Sequence, residues 1–481
     1  MGTFGNTFGS YYVVDTQVQD EINTIYIDPT NKNNNRNGNI NNPYNSFSEF
    51  TIQNNYTYKL KNSTTYISSD VLRIDNKNGV KLSTYGNSEM KPKFQFNGYN
   101  PALYFINSSN CEIDGWEISG SNAARSLITS TGGSTESTYN KNILIKNCIL
   151  HTAYYNGTKS GGFGIETYNN DNLKILNCEI FNIAVDGIYA RNCINTEIGN
   201  CNLHNINQLY ETNKDQTWSS GDGIQLDGQW DGFYIHHNII DRSDSKTGNK
   251  SGIILNSAEG VSDNSTGIIE YNIFKKNNNV NEHLLISRGL NIIVRYNIFK
   301  EDGLALNIQG KCKNTLIHNN IFYGCGRGIM IGYSSTPKIY TDKIYNNVFY
   351  GLTGYNPYSN NISPAGGFHI QIDNGVKIES KNNIHVRTTD NSVSIYKFGT
   401  TATTNISNNC YDTISTAGKL GTGINSIIDN PLFVDSNNKD FHLLPNSPCI
   451  NTGINVGLLE DFDGTSIPQG NNPDIGCYEF L

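Results

Sequence analysis

The sequence has few charged residues and no long apolar run. Charged residues make up 16% of the 481 residues, and there are only three Trp and three Met. No stretch approaches the roughly 18 consecutive apolar residues that a membrane-spanning helix needs. Together with the absence of helical periodicity, this excludes coiled coils, helical bundles and membrane spans.

Concentrated positive charge is also missing. The formal net charge is −8, and the longest Lys/Arg run is the pair Lys275-Lys276. Because nucleic acids need a concentrated basic surface, we expect no nucleic acid partner. The first thirty residues show no basic start followed by an apolar segment, so we expect a protein that either lost its secretion signal or leaves its cell by lysis.

Asparagine is abundant instead, at roughly 15% of the chain, and much of it recurs in one phrase. A polar residue or two precede Asn or Cys, which is followed by an apolar pair, as in LNCEI, EYNIF and HNNIF. The shortest intervals are 23 to 25 residues, so the pattern predicts coils of about 22 to 25 residues, some of them lengthened by loops. The matched positions are Cys148, Cys178, Cys201, Asn238, Asn272, Asn297, Asn320 and Asn347.

Short apolar alternations opened by Gly-Ile pairs lie between these phrases, for example at Gly187-Ile188 and Gly223-Ile224. A period of two indicates strands, and no run is long enough for a helix. Short strands in coils of this length predict an all-β fold, a single-stranded parallel β-helix. Stacked coils would place the Asn side chains in a hydrogen-bonded ladder, which Cys148, Cys178 and Cys201 continue as small buried residues and not as disulfides or metal ligands.

Four regions are expected along the chain. Residues 1–22 are a lead segment, 23–100 an N-terminal cap with the first coils, 101–427 the parallel β-helix, and 428–481 a C-terminal cap. Caps are expected because an open solenoid end would expose apolar core and unpaired strand edges.

Several segments resemble a known family. The segment IYIDPT at 25–30, followed by NNPYNSF and VKLSTYGNSEMKPKF, and the closing DFDG and PDIGCYEF look like the terminal signatures of the right-handed parallel β-helix superfamily of pectate-lyase-like proteins. The likeness is nearest to polysaccharide lyases and hydrolases of the alginate-lyase and chondroitin-lyase kind. It implies a right-handed β-helix that acts on polysaccharides.

A groove is expected on the coils between 163 and 282, because four neighbouring coils carry long insertions at one corner. Aligning the Gly-Ile pairs places outward side chains in two columns. The first column contains Glu166, Tyr189 and Gln225, and the second contains Tyr168, Arg191 and Asp227. These six residues are candidates for substrate contact, with Asp227 as a candidate catalytic residue.

Asp186 and Asp222 stand immediately before Gly-Ile on adjacent coils, about 4.8 Å apart in the predicted stack. Three interpretations follow. The two can be the acid and base of a glycoside hydrolase. They can join Glu166 and Asp227 in holding Ca²⁺ for a lyase whose base is Arg191, Lys250 or Tyr189. They can also be ordinary turn residues that cap backbone groups.

Polygalacturonases carry Asp-Gly-Ile and Gly-Asp-Asp on consecutive coils, and Asp186 and Asp222 resemble these. However, Gly221 stands where the other Asp of Gly-Asp-Asp should be. The polygalacturonase pattern continues with Gly-His-Gly and Arg-x-Lys, but here Ser251 stands in place of the His and no Arg-x-Lys follows, which argues against this activity. The remaining carboxylates favour hydrolysis slightly over β-elimination. Four further residues are predicted to bind substrate, namely Trp218, Trp230, Lys250 and Arg288, whereas His236 and His237 are expected on a solvated face.

We therefore expect an extracellular protein that binds a polysaccharide and cleaves it, as a monomer if it is a secreted enzyme. Two alternatives stay open. A virion tailspike would recognise a surface polysaccharide as a homotrimer, and an adhesin would bind without cleaving.

Overall fold

The computed structural model describes most of the chain as a stack of coils, and each complete coil contributes up to three short parallel strands. The described residues are 23–121, 124–154, 161–206, 221–243, 251–258, 260–275, 282–301, 303–332, 340–353, 355–356, 361–362, 368–388, 393–397, 401–412 and 422–481.

The first and second strands of the coils belong to one sheet of 25 strands. The first row consists of Leu72–Asp75, Leu103–Ile106, Ser126–Thr131, Phe163–Leu176, Ile188–Ile194, Ile224–Asp227, Ile253–Asn256, Glu282–Leu290, Leu304–Lys313, Arg327–Ile331, Phe368–Ile372 and Val393–Lys397. The second row consists of Thr24–Ile27, Thr57–Lys61, Lys81–Tyr85, Glu112–Asp114, Asn140–Lys146, Glu197–Gly199, Phe233–His236, Gly267–Glu270, Ile293–Arg295, Leu316–His318, Asp342–Tyr345, Lys377–Lys381 and Thr403–Ser407. Phe163–Leu176 runs through both rows.

The third strands form a separate sheet of 14 strands. They are Thr65–Ser68, Lys93–Phe96, Glu117–Ser119, Ile149–Ala153, Glu179–Ile183, Asn202–Ile206, Ile239–Asp241, Ile273–Lys275, Ile298–Lys300, Ile321–Tyr323, Val348–Tyr350, Ile384–Val386, Cys410–Tyr411 and Ile427–Ile428. The remaining elements are two small antiparallel pairs, Tyr355–Asn356 with Asn361–Ile362 and Phe433–Asp435 with Asp440–Leu443, and the 3-10 turns Phe47–Glu49 and Glu136–Thr138.

Register between coils follows the Gly-Ile pairs. Ile188 is aligned with Ile224, and Ile224 with Ile253, all with parallel pairing. These Ile side chains are completely buried in a continuous apolar core, while the residues that alternate with the buried ones along each strand point outward. The predicted strands, coil repeat and parallel β-helix are confirmed. Among the residues that the structure describes, no helix is long and apolar enough to cross a membrane.

The predicted asparagine ladder runs along the corner between the second and third rows. In each of its coils the Asn Oδ1 accepts the backbone N–H and the side-chain N–H of the preceding Asn, as Asn320 does from Asn297 at 3.0 Å for both bonds. The ladder contains Asn238, Asn272, Asn297, Asn320, Asn347, Asn383 and Asn409. At its start, Asn238 accepts the backbone N–H of Cys201 at 2.9 Å. All ten Cys are buried and free, as the sequence indicates.

The C-terminal residues cover part of the stack. Phe441, Cys449 and Ile475 pack on outward third-row side chains such as Ile321 and Val348 and form a second apolar cluster. Three buried carboxylates hold this segment through backbone N–H groups. Asp461 accepts from Glu479, Asp474 accepts from Phe480, and Glu479 accepts from Asp474. These carboxylates lie in the DFDG and PDIGCYEF segments, and their contacts account for both motifs.

Candidate functional site

The two outward columns predicted from the sequence are present on the first-row strands. Glu166, Tyr189 and Gln225 are aligned on consecutive coils, and so are Tyr168, Arg191 and Asp227. The inward neighbours of these residues fill the core, and alternation therefore directs all six side chains to the outer face. This face is the candidate functional site.

Tyr189, Arg191 and Asp227 form the more accessible half of the site. The Tyr189 hydroxyl donates to Oδ2 of Asp227 at 2.9 Å, and Nε of Arg191 lies 3.7 Å from the same oxygen. Oδ1 of Asp227 has no hydrogen bond to any other residue in the described ranges. The side chains of Arg191 and Asp227 are 53% and 20% exposed, so a ligand on this face can reach both.

Glu166, Arg125 and Tyr168 form the deeper half. Arg125 donates from Nη2 to Oε1 of Glu166 at 2.9 Å and from Nε to Oε2 at 3.2 Å. The Tyr168 hydroxyl donates to Oε1 at 2.7 Å. The Glu166 side chain is 1% exposed, whereas Arg125 is 43% exposed and presents its guanidinium at the surface. The Tyr168 and Tyr189 rings meet edge to face at 5.8 Å and join the two halves.

The phenols and guanidiniums of the site are held in their protonated forms. Burial raises the pKa of Tyr189, and the Asp227 carboxylate raises it further. Burial followed by the charge of Glu166 does the same to the pKa of Tyr168. The charge of Asp227 raises the pKa of Arg191, and the hydrogen bond to Glu166 raises the pKa of Arg125. At neutral pH, Tyr189 therefore keeps its proton and donates a hydrogen bond to Asp227.

Asp186 and Asp222 lie on adjacent coils as predicted, but both are buried. Oδ1 of Asp186 accepts the backbone N–H of Asp222 at 2.8 Å, and Oδ1 of Asp222 accepts that of Ser251 at 2.6 Å. Arg242 is also buried and donates from Nη1 to the Ser251 carbonyl at 2.9 Å. These contacts support the interpretation as capping residues. The predicted catalytic role of the pair requires substrate access that this burial does not provide.

The Arg242 guanidinium is buried close to the carboxylates of Asp186 and Asp222. Burial lowers the pKa of Arg242 to about 10, and the charges of Asp222 and Asp186 oppose that shift. A buried cation is tolerated only where anions and hydrogen bonds replace its hydration. The three side chains therefore form one buried ionic group at the start of the strands that carry the site.

Two residues predicted to bind substrate, Trp230 and Arg288, are buried, contrary to expectation. Trp230 is completely buried, packs edge to face on Phe233, and donates from Nε1 to the Asn256 carbonyl at 3.1 Å, so its ring is not offered to a sugar. Arg288 is mostly buried and donates to Asp263 at 2.9 Å and to the Ser257 carbonyl. Trp218 and Lys250 lie outside the described residues.

Of the two histidines expected on a solvated face, His237 is exposed, whereas His236 is buried. His236 is 8% exposed, stacks on Tyr234 at 4.1 Å, and lies 3.3 Å from Oε1 of Glu197. Its Nδ1 is 3.0 Å from Nδ1 of His237. Gly199 makes room for the imidazole, because a Cβ there would lie 2.4 Å from the ring.

Three of the four carboxylates expected to hold Ca²⁺ are engaged in other contacts. Glu166 is occupied by Arg125 and Tyr168, and Asp186 and Asp222 accept backbone N–H groups. Within the described ranges, no group of three or more His, Cys, Asp and Glu is arranged to hold a metal.

Sequence reasoning missed Arg125 and Arg242. Arg125 precedes strand Ser126–Thr131, where no Gly-Ile pair marks the register. Arg242 follows strand Ile239–Asp241 in an inserted segment, where a charged residue is usually solvated. The carboxylate of Glu166 is the one signal that could have predicted Arg125, because a buried charge needs a partner of opposite charge.

Comparison with known proteins agrees with the fold. The family described as the right handed beta helix region matches residues 78–259. XylC in complex with xylose is 11% identical over 95% of this chain and 98% of its own, with a TM-score of 0.53. The chain is a right-handed parallel β-helix. The expected right-handed parallel β-helix fold is thus confirmed.

Other solved structures resemble this β-helix with lower scores. Pectate lyase Pel9A is 14% identical over 95% of this chain and 96% of its own, with a TM-score of 0.42. The A-module of the Azotobacter vinelandii mannuronan C-5 epimerase AlgE4 is 11% identical over 78% of this chain and 87% of its own, with a TM-score of 0.45. No curated protein matches the sequence.

Proposed function

We propose that this β-helix binds an acidic polysaccharide along its first-row face and cleaves it by β-elimination at Tyr189, Arg191 and Asp227. The observation that carries the proposal is the contact of a protonated phenol and a guanidinium with one accessible carboxylate. Several solved β-helix structures of similar fold carry the names of polysaccharide-modifying enzymes, which supports a carbohydrate ligand.

Each of the three residues supplies one requirement of the elimination. Arg191 pairs with the uronate carboxylate of the substrate and stabilises the charge that develops when the neighbouring carbon loses its proton. Oδ1 of Asp227 accepts that proton. Tyr189 donates its hydroxyl proton to the departing glycosidic oxygen as the carbon–oxygen bond breaks and the double bond forms.

The hydrogen bond between Tyr189 and Asp227 then restores the site. After the reaction, Asp227 carries the substrate proton and Tyr189 is a phenolate. Transfer of one proton from the carboxyl group to the phenolate regenerates both groups, with no change in the total number of protons.

Hydrolysis by Asp186 and Asp222 receives less support from the geometry. Both carboxylates are buried beside Arg242, so neither is placed to act on a bound glycosidic bond. The accessible group of Tyr189, Arg191 and Asp227 contains one carboxylate, whereas a glycoside hydrolase uses a pair.

A polysaccharide panel tests the proposal. The purified chain is incubated with uronate-containing and neutral polysaccharides, and the ultraviolet absorbance of an unsaturated product is recorded with the appearance of new reducing ends. Elimination predicts that both signals rise together on a uronate-containing polymer. New reducing ends without the absorbance would contradict elimination, and no product from any polymer would contradict cleavage.

A further inference from the structure

Cys410 and Cys449 are two buried thiols that meet between the last coils and the C-terminal residues. Cys410 lies on a third-row strand, in register with Ile384, and points outward to the side that the C-terminal residues cover. Cys449 belongs to those residues, and its carbonyl accepts the backbone N–H of Ile475 at 3.0 Å. Both Cys are completely buried in one apolar cluster with Ile384 and Ile475, and their thiols are hydrogen-bonded to each other. The two side chains therefore face each other across the contact between two distant segments.

The cysteine column inside the coils has a different geometry. Cys148, Cys178 and Cys201 occupy equivalent positions on consecutive coils, and each thiol donates to the carbonyl two residues before it. Their side chains are parallel, at the coil spacing of about 4.8 Å, whereas a disulfide bond favours a Cβ separation of about 3.8 Å. Side chains that face each other, as those of Cys410 and Cys449 do, are not held at the coil spacing.

We propose that Cys410 and Cys449 form a disulfide bond when the chain folds in the presence of a small-molecule disulfide, and that this bond fastens the C-terminal residues to the last coils. The inference is independent of the proposed action on polysaccharides. A bond between residues 410 and 449 closes a loop in the unfolded chain and lowers its entropy, which favours the docked position of the C-terminal residues.

The bond forms by thiol–disulfide exchange with a compound such as oxidised glutathione. One protein thiolate attacks a sulfur of that compound and releases one small thiol, and the second protein thiolate attacks the mixed disulfide and releases the other. The two cysteines lose two protons and two electrons in total, and the small disulfide takes them up as it becomes two thiols.

Access limits this exchange in the folded chain. Both thiols are completely buried, and the contact with Cys410 together with burial raises the pKa of Cys449 well above its usual value. A thiol is a poor nucleophile under these conditions, because the thiolate is the reactive form. The exchange therefore takes place while the C-terminal residues are undocked, and docking then shields the bond from reductants.

Peptide mapping of the refolded chain tests the bond. The purified chain is unfolded, refolded with oxidised and reduced glutathione, and treated with iodoacetamide to block the remaining thiols. Trypsin and an Asp-specific protease then separate Cys449 from Cys477, because Asp461 lies between them. Mass spectrometry should find Cys410 linked to Cys449 as the main cross-link, with Cys148 and Cys178 alkylated.

Hydrogen exchange tests the effect of the bond on the C-terminal residues. The backbone N–H of Ile475 exchanges when it leaves the Cys449 carbonyl, and the bond should slow this exchange by about 10-fold or more relative to the chain reduced with dithiothreitol. Cys449→Ser and Cys410→Ala should each abolish the difference. Cys477→Ser is the matched control, since Cys477 is buried in the same cluster, and it should retain the difference.

Each variant is compared with its own reduced form, so a general loss of packing does not enter the comparison. Complete alkylation of all ten thiols after refolding, or links between other cysteines only, would overturn the bond. A bond that forms without slowing the exchange of Ile475 would overturn its fastening role. An oxidation-dependent difference that persists in Cys449→Ser would assign the effect to other cysteines.

Discussion

Tyr189 donates its hydroxyl hydrogen to Asp227 on the adjacent coil, across 2.9 Å. The bond joins a residue of the first outward column to one of the second, so it exists only because the two coils are stacked in register. Arg191, aligned with Asp227, lies close to the same carboxylate oxygen. The proposed chemistry depends on this contact between coils.

Removing the Tyr189 hydroxyl should greatly reduce cleavage without unfolding the chain. We expect Tyr189→Phe to lower kcat/KM by about 100-fold or more, because proton transfer by a positioned side chain contributes about that much. Initial rates of product formation measure the effect, and circular dichroism checks the fold. Tyr104→Phe is the control, since Tyr104 lies in the same column two coils from Glu166 and bonds Thr131. Equal losses in both variants would contradict a specific role for Tyr189.

Replacing Asp222 should affect stability more than chemistry. Asp222→Asn removes one of the two anions beside the buried Arg242, which we expect to lower the free energy of unfolding by about 3 kcal/mol. Urea unfolding measures this change. Asp171→Asn, at a partly exposed position that bonds Asn195, should have little effect. Normal stability with cleavage abolished would instead support the catalytic interpretation of Asp222.

Acid should destabilise the chain through His369 and His385. Both are completely buried, their Nδ1 atoms lie 3.1 Å apart, and neither Nε2 bonds to another residue in the part of the chain that the structure describes. Burial lowers the pKa of His369 to about 3 and holds that of His385 well below its usual range. The unfolded chain binds protons below about pH 6.5 that the folded chain does not bind.

The free energy of unfolding should therefore fall between about pH 7 and pH 4, by up to about 1.4 kcal/mol per pH unit for each histidine. Urea midpoints measured across this range test the effect. A double variant, His369→Leu with His385→Phe, should flatten the profile, because Phe continues the ring stack between Phe349 and Tyr411. A profile as steep as that of the parent chain would contradict the assignment.

His442 should act in the opposite direction. Its Nδ1 lies 2.6 Å from Asp440 and its Nε2 lies 2.9 Å from Asp463, and these carboxylates raise its pKa against the effect of burial. The contribution to stability is present below about pH 6.5 and is lost as the pH rises through the folded pKa. His442→Gln should therefore lower the melting temperature at pH 6 more than at pH 8. Equal losses at the two pH values would contradict this expectation.

The asparagine ladder should tolerate truncation poorly. Asn320→Ala leaves the backbone N–H of Asn297 and the carbonyls of Val294 and His318 without their partner. We expect a loss of at least about 2 kcal/mol in the free energy of unfolding. Asn405→Ala is the control, because its amide bonds Glu379 at the surface. Similar midpoints of urea unfolding for the two variants would show that the ladder contributes little.

The sequence predicts the outward columns because the Gly-Ile pairs set the register and the period of two sets the side-chain direction. Tyr189, Gln225 and Asp227 lie where that reasoning places them. Asp186 and Asp222 precede the strands that begin at Ile188 and Ile224, at a corner where alternation does not apply. The sequence therefore could not predict that they are buried. Trp230 follows strand Ile224–Asp227, where alternation does not apply either, and its ring is buried in the core.

Contacts between distant segments were the other part that the sequence did not reveal. Arg125 reaches Glu166 from the preceding coil, and Arg242 reaches Asp186 and Asp222 from the end of a third-row strand. Neither Arg belongs to a repeated phrase, so no alignment of repeats assigns its partners. Such pairs appear only once the coils are placed next to each other.

The corner that carries the asparagine ladder has the same short length in every coil from Asn238 to Asn409, whereas the long insertions occur at other corners. An added residue at the ladder corner would shift an amide out of line and break the bonds on both sides. Protein engineers who wish to graft foreign loops onto this scaffold therefore have a rule to follow: the corners that already vary in length can accept new segments, while the ladder corner must be left untouched.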